Sequence, residues 1–288
     1  MPSLRGLRAV GRRLERTFPG RCAGSFFALQ GIDRAMAIAA QAFTALIPLL
    51  ILISALAPES QRDLVSDAVV RRFRLAGDAA SAVQQLFAHP AGSSTGVLSV
   101  VILTFSGISL ARRIQRMYLQ AWDLPPRSGV TGSLNAAFGL GALLTEVGLV
   151  YLARTFVQAL PFDWLLGAPL SVLASLVLWT SVPWLLLDRR IPWRRLLPAG
   201  ALAAVCVSVY GIATIIYMPR LMETYSRRYG LFGVTLSLVG WLLCIAVIVV
   251  AATVVAAEFD RAQEPWARRL RIRFGLEPTV ERAVAPAR

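Results

Sequence analysis

The sequence predicts an all-α polytopic membrane protein with six transmembrane helices, flanked by amphipathic interfacial helices at the N-terminus, in the first outer connection and in the C-terminal tail. Three observations lead there. Hydrophobic residues make up 56% of the 288-residue chain and the mean hydropathy is +0.61, more than a soluble surface carries. Most of the six long apolar stretches reach the ~20 residues that cross ~30 Å of hydrocarbon as a helix, the conformation in which a backbone satisfies its own hydrogen bonds. The arginines fall unevenly between the stretches.

Taken in order, residues 1–34 form a basic arm. Leu4, Leu7, Gly11, Leu14 and Phe18 recur at helical spacing with Arg5, Arg8, Arg12, Arg13 and Arg16 on the remaining faces. That pattern predicts a helix lying on the inner leaflet, the alternative being a frayed arm whose charges serve only to set topology. The predicted spans are Ala35 to Ala57, Gly96 to Ala111, Leu134 to Leu160, Pro169 to Leu187, Leu196 to Met218 and Leu231 to Ala257, which together delimit a transmembrane domain over 35–257. A cleaved export signal is the competing reading of the first. It is set aside because the apolar run is about 23 residues long rather than 7 to 15, begins far from Met1 and is followed by Pro58.

The second span is short, because Arg112 and Arg113 follow its apolar part. Ile114, Met117, Tyr118 and Trp122 keep the helical period, so the helix is expected to continue into the interface while Arg112, Arg113 and Arg116 reach toward phosphates. The outer connection, 58–95, carries Glu59, Asp63 and Asp67 at i,i+4 spacing, then Val69, Val70, Phe73 and Leu75 among arginines. This predicts one or two short amphipathic helices at the outer mouth. The tail, 258–288, places Trp266, Leu270 and Phe274 every four residues beside Arg268, Arg269, Arg271 and Arg273, the pattern of a further interfacial helix.

No lysine occurs, so the formal charge of +14 comes from arginine. The N-terminal arm, the second-to-third and fourth-to-fifth connections and the tail together hold 22 arginines, the other three connections seven, and Arg154 alone lies inside a span. By the positive-inside rule both termini are cytoplasmic.

Missing residues exclude several chemistries. Without lysine there is neither a Walker A phosphate loop nor a Schiff-base amine; the single His89 builds no histidine metal site, and neither HExxH nor GxSxG occurs. No catalytic residue, metal or cofactor is therefore expected. Cys22, Cys206 and Cys244 have no CxxC spacing and read as packing residues.

The third span carries an unusual polar pair. Glu146 is near its centre and Arg154 two turns nearer the outer side, about 12 Å apart along the axis. An ionised group at mid-bilayer costs roughly 2.5 to 3.5 kcal/mol even on the lenient scale, so each should face protein, water or a counter-charge, with Gln41 or Thr44 of the first span as partners. One reading is a polar substrate path through Glu146, Arg154, Gln41 and Thr44; the other is a neutral, hydrogen-bonded Glu146 acting as interhelical glue while Arg154 reaches the headgroups. Pro48 and Pro183 are candidate kinks, and Ala35, Ala39 and Ala42, Gly139 and Gly141, and Gly200 and Ala204 are candidate close-packing faces.

Several segments in order carry a family resemblance. Ala40 to Pro48 joins small and aromatic residues to a proline; Ser109 to Trp122 ends the second span; Trp193 to Ala201 begins the fifth; Tyr229-Gly230-Leu231-Phe232-Gly233 precedes the last; and Ala256-Ala257-Glu258-Phe259 closes it. From about Phe26 to Asp260 the chain resembles the YihY/virulence factor BrkB family of bacterial inner-membrane proteins, once misnamed ribonuclease BN. Gln41 and Phe43 stand where the family often has tyrosines, so no hydroxyl role carries over there.

The resemblance implies six membrane helices, no established catalysis, and links to serum resistance and to export of lipid-like molecules. The expected function is transport or flipping of an amphipathic envelope substrate, against the alternative of a non-transporting envelope scaffold docking through 58–95. A ribonuclease is rejected because the acidic residues form no metal-binding cluster. The expected partners are membrane lipids, anionic at the cytoplasmic leaflet; homo-oligomerisation is left open, and nucleic acid is not expected.

Overall fold

The computed structural model describes residues 17–56, 93–125, 163–273 and 275, together with Asp67, Val70, Gly77, Ala80, Ser81, Gln84 and Gly141. Among these the regular elements are helical: α1 (Phe18–Ala28), α2 (Gly31–Leu56), α3 (Ser93–Ala121), α4 (Asp163–Leu186), α5 (Trp193–Tyr229), α6 (Leu231–Arg261) and α7 (Pro265–Arg273). By length and composition, α5 and α6 from Phe232 are apolar enough to cross a membrane, and Val172–Leu186 of α4 is a shorter apolar helix.

α6 is the central helix, packing against α5, α2, α1 and α3, while α4 lies against α5. The main core gathers at one end of the bundle, where Met117 and Tyr118 of α3, Leu186 and Leu187 at the end of α4, Leu196 of α5 and Val250 of α6 are buried together. Farther along the helices the outward faces are apolar and bare. Val205, Val209, Ile212 and Ile216 form an exposed stripe on α5 at helical spacing, and Phe105 of α3 is 74% exposed. Such apolar surface has no place in water and suits hydrocarbon.

Close approach of α4 and α5 rests on a glycine. A Cβ added at Gly200 would lie 2.0 Å from Thr180 Oγ1 and 2.9 Å from the Thr180 backbone nitrogen, so only hydrogen fits between the helices there. Ala35 and Ala39 are likewise buried on α2, as small-residue spacing predicts. The α5–α6 corner turns at Gly230, whose φ of +58° lies in the left-handed region that favours glycine.

Against the sequence reading, α3 agrees and α5 differs. α3 runs unbroken through Arg112, Arg113 and Arg116, as its apolar period implies. α5 extends well past Met218, through Pro219 to Tyr229, where a connection was expected. Met222, one turn beyond Met218, joins it in a second buried cluster with Val234, and Glu223 pairs with Arg227 at 2.6 Å, so burial and an i,i+4 ion pair continue the helix where hydropathy falls. Pro48 and Pro183 lie inside α2 and α4 without ending them, and Pro183 is fully buried.

The N-terminal interfacial helix expected around Leu4 to Leu14 lies outside the described residues. The observed helix, α1, starts at Phe18. Thr17 is its N-cap, its hydroxyl accepting from the Gly20 backbone at 3.3 Å, and Pro19 fits the first turn, where no donor is needed.

Candidate functional site

The end of the bundle that carries α1, the start of α5, the ends of α3 and α6, and α7 is where charged residues concentrate. Helix ends are the reason. The last carbonyls of a helix have no partner of their own, and arginine, with five donors in a planar fork, satisfies several at once.

Arg271 on α7 is 7% exposed and turned inward. Its Nη1 donates to the carbonyl oxygens of Phe259 at 2.6 Å and Asp260 at 2.5 Å, its Nη2 donates to that of Ala262, and its guanidinium stands 6.0 Å from the Phe259 ring centroid. The sequence groups Arg271 with Arg268, Arg269 and Arg273 beside the apolar stripe of the tail; in the fold the unpaired carbonyls at the end of α6 draw Arg271 inward, while Arg268 and Arg269 stay exposed. Similar contacts join other elements. Arg261 Nη2 donates to the Ala121 carbonyl at 2.6 Å, Arg34 Nε to that of Leu29 at 2.7 Å, and Arg190 Nη1 to that of Pro125 at 3.0 Å.

Alternating charges cross this end. Glu264, just before α7, accepts from Arg21 of α1 at 2.5 Å; Arg21 Nε lies 3.8 Å from Glu258 of α6; Arg261 reaches Glu258 at 3.4 Å and Asp123, just past α3, at 2.7 Å. Glu258, the acid of the resembled closing motif, is the hub. It is 8% exposed and also accepts from the Ser25 hydroxyl at 2.6 Å, so two arginines and a hydroxyl replace its lost water. The hydrogen bond from Arg21 holds the Glu264 carboxyl below the usual glutamate range. Arg195, at the start of α5, lies 3.9 Å from Asp260 and adds a fifth element.

The same helices divide polar from apolar surface. Arg21, Glu258 and Glu264 line an open cleft of about 510 Å³. Their near neighbours Phe18, Phe259 and Trp266 line a separate groove of about 500 Å³, completed by Leu176 of α4, by Leu197, Pro198, Ala201 and Leu202 of α5, by Val255 and Ala256 of α6, and by Leu270. Phe18 meets Trp266 edge-on with centroids 5.2 Å apart, and Trp266 and Leu270 remain partly exposed at the rim. An amphipathic molecule could place a tail in the groove and a polar end beside the charges. Among the described residues no three His, Cys, Asp or Glu side chains gather as metal ligands.

The residues singled out from sequence fare differently. Glu146 and Arg154 lie outside the described residues, as does Phe274. Gln41 donates to Ser106 of α3 at 3.3 Å, and Thr44 to the Ala40 carbonyl of its own helix at 2.9 Å. Tyr229, Gly230 and Gly233 form the corner at the far end, the Gly233 backbone donating to the Gly230 carbonyl at 3.0 Å. They are remote from Glu258 in sequence and by the length of α6 in space. Sequence reasoning missed Ser25, Arg21, Asp123, Arg261 and Glu264 as a group. The one available signal was Thr17-Phe18-Pro19, an N-cap followed by proline, which places Arg21 and Ser25 one turn apart on a helix.

Comparison with known proteins identifies a family. A family model described as Virulence factor BrkB matches residues 26–271, a stretch that runs from α1 through Arg271. No curated protein and no solved structure matches the chain.

Proposed function

We propose, from the premise that the chain belongs to the Virulence factor BrkB family, that this membrane protein moves or flips an amphipathic, lipid-like molecule of the bacterial envelope. It does so from the inner membrane, crossing six times with both termini in the cytoplasm. The observation that carries the reading is an apolar groove of about 500 Å³ whose lining residues Phe18, Phe259 and Trp266 are near neighbours in sequence of Arg21, Glu258 and Glu264 in the charged cleft. The excess of arginine in the connections at the same end supports a cytoplasmic position. Glu146 and Arg154 would continue the polar path across the third span, with Gln41 and Thr44 hydrating it. No catalytic role is proposed.

The test is lipid-analogue scrambling by the full chain in liposomes. Activity above empty vesicles is expected, with a several-fold loss when Ala201→Trp fills the groove and a change on Glu146→Gln. Rates equal to empty vesicles across a broad panel would contradict it.

One observation favours the second reading, a non-transporting scaffold docking through 58–95. Val70 and Ala80 of that connection pack on the Met218, Met222 and Val234 cluster. Reproducible crosslinking of one partner from this segment, without scrambling, would select that reading.

A further inference from the structure

Three arginines from two antiparallel helices share one cleft. Arg34 at the start of α2 and Arg113 and Arg116 near the end of α3 line a space of about 220 Å³ whose remaining walls are Ala37 and Ile38. No carboxylate lines it. Asp33, the neighbour of Arg34, is exposed and makes no ion pair with any of the three. Asp123 lines an adjoining cleft together with Arg34 and Arg116, and it is engaged by Arg261 at 2.7 Å.

Arg34 is held by the Leu29 carbonyl and by the side-chain oxygen of Gln120, and Arg116 only by the Arg112 carbonyl of its own helix at 3.3 Å. Arg113 has no hydrogen-bond or ion-pair partner among the described residues. Elsewhere at this end Arg21, Arg195 and Arg261 meet carboxylates and Arg190 and Arg271 meet carbonyls at helix ends, whereas here like charges converge with no carboxylate among the lining residues. Such an arrangement repels itself unless an anion sits within it, and guanidinium forks match phosphate oxygens in pairs.

We propose that Arg34, Arg113 and Arg116 form a binding site for a phosphate group between the ends of α2 and α3. The chemistry is that of a phosphodiester or phosphomonoester. An anionic phospholipid headgroup would deliver it from the inner leaflet, with its glycerol backbone against Ala37 and Ile38, and soluble phosphate would deliver it from the cytoplasm. The site rests on the membrane orientation proposed above, and it is independent of whether the chain transports anything.

The test uses the full chain in nanodiscs of equal phosphatidylglycerol and phosphatidylcholine, with retained lipid counted after detergent extraction. Phosphatidylglycerol should be enriched by at least about fivefold, the factor that one arginine near an anionic surface supplies. Arg113→Gln with Arg116→Gln should remove most of that enrichment, leaving at most what Arg34 alone supplies. Neither residue holds another element, so this double substitution keeps the fold. Arg268→Gln with Arg269→Gln, on the exposed face of α7, should leave the enrichment intact.

A second arm titrates inorganic phosphate into the chain in detergent and follows thermal stability. Stabilisation that is lost on Arg113→Gln with Arg116→Gln, together with displacement of phosphatidylglycerol, assigns the site to soluble phosphate; enrichment that phosphate does not displace assigns it to lipid. A parent chain that enters nanodiscs, retains the two lipids in the bulk ratio and gains no stability from phosphate overturns the site alone. A chain that never enters nanodiscs overturns the membrane reading, and the phosphate arm still decides the site.

Discussion

Arg271 closes the end of the helix that precedes its own: its guanidinium donates to the carbonyl oxygens of Phe259 and Asp260 at the end of α6. The contact explains how a nine-residue helix as basic as α7 stays docked on the bundle. Isolated helices of that length are marginal, and the inward arginine with Trp266 supplies what propensity does not.

Removing it should be costly. Arg271→Ala leaves buried carbonyls without donors, and a loss of about 2 to 4 kcal/mol is expected from charge-assisted hydrogen bonds of this kind. Thermal unfolding in detergent would measure it. Arg269→Ala, exposed two residues earlier, should stay within ~0.5 kcal/mol of the parent.

The glycine contact between α4 and α5 makes an opposite pair of predictions. Gly200→Ala drives a methyl group into Thr180 and should destabilise by about 1 to 3 kcal/mol. Gly211→Ala, also in α5 but with open space around it, should be neutral or stabilising by up to ~1 kcal/mol through helix propensity. Thr180→Ala should rescue Gly200→Ala only in part, because the Thr180 backbone nitrogen is also within 2.9 Å of the added carbon.

Docking of α7 on α1 should weaken in acid. The Arg21 hydrogen bond lowers the folded carboxyl of Glu264 below its ordinary value of 4.5. A carboxyl with a depressed folded value contributes stability that is present above the unfolded value and is lost as pH falls through the folded one. The stability advantage of the parent over Glu264→Gln should therefore be constant at neutral pH and shrink below about pH 4.5. A difference unchanged into that range would remove Arg21 as the cause.

Much of the helical layout was legible because hydrophobic period and burial agree. Ile114, Met117 and Tyr118 carried α3 past its arginines, and Met117 and Tyr118 are indeed buried. Arg271 was not legible, since sequence spacing does not tell an arginine facing lipid phosphate from one facing a helix end. The length of α5 was missed for a related reason: Pro219 and Arg220 mark the end of an apolar run, whereas the Met218–Met222 contact that continues the helix depends on Val234 of the next one. Glu258 was singled out only as part of a motif. Its surroundings come from α1 and from the end of α6, two segments that hydropathy alone treats as edges.

The most direct test of the orientation asks which face of the membrane each end of α5 and α7 meets. In a background with Cys22, Cys206 and Cys244 replaced by alanine, Glu223→Cys near the end of α5 and Arg269→Cys on α7 present exposed thiols at opposite ends of the bundle. An impermeant maleimide applied to spheroplasts should label residue 223 directly and residue 269 only after permeabilisation. Labelling of both from the same side would contradict the account.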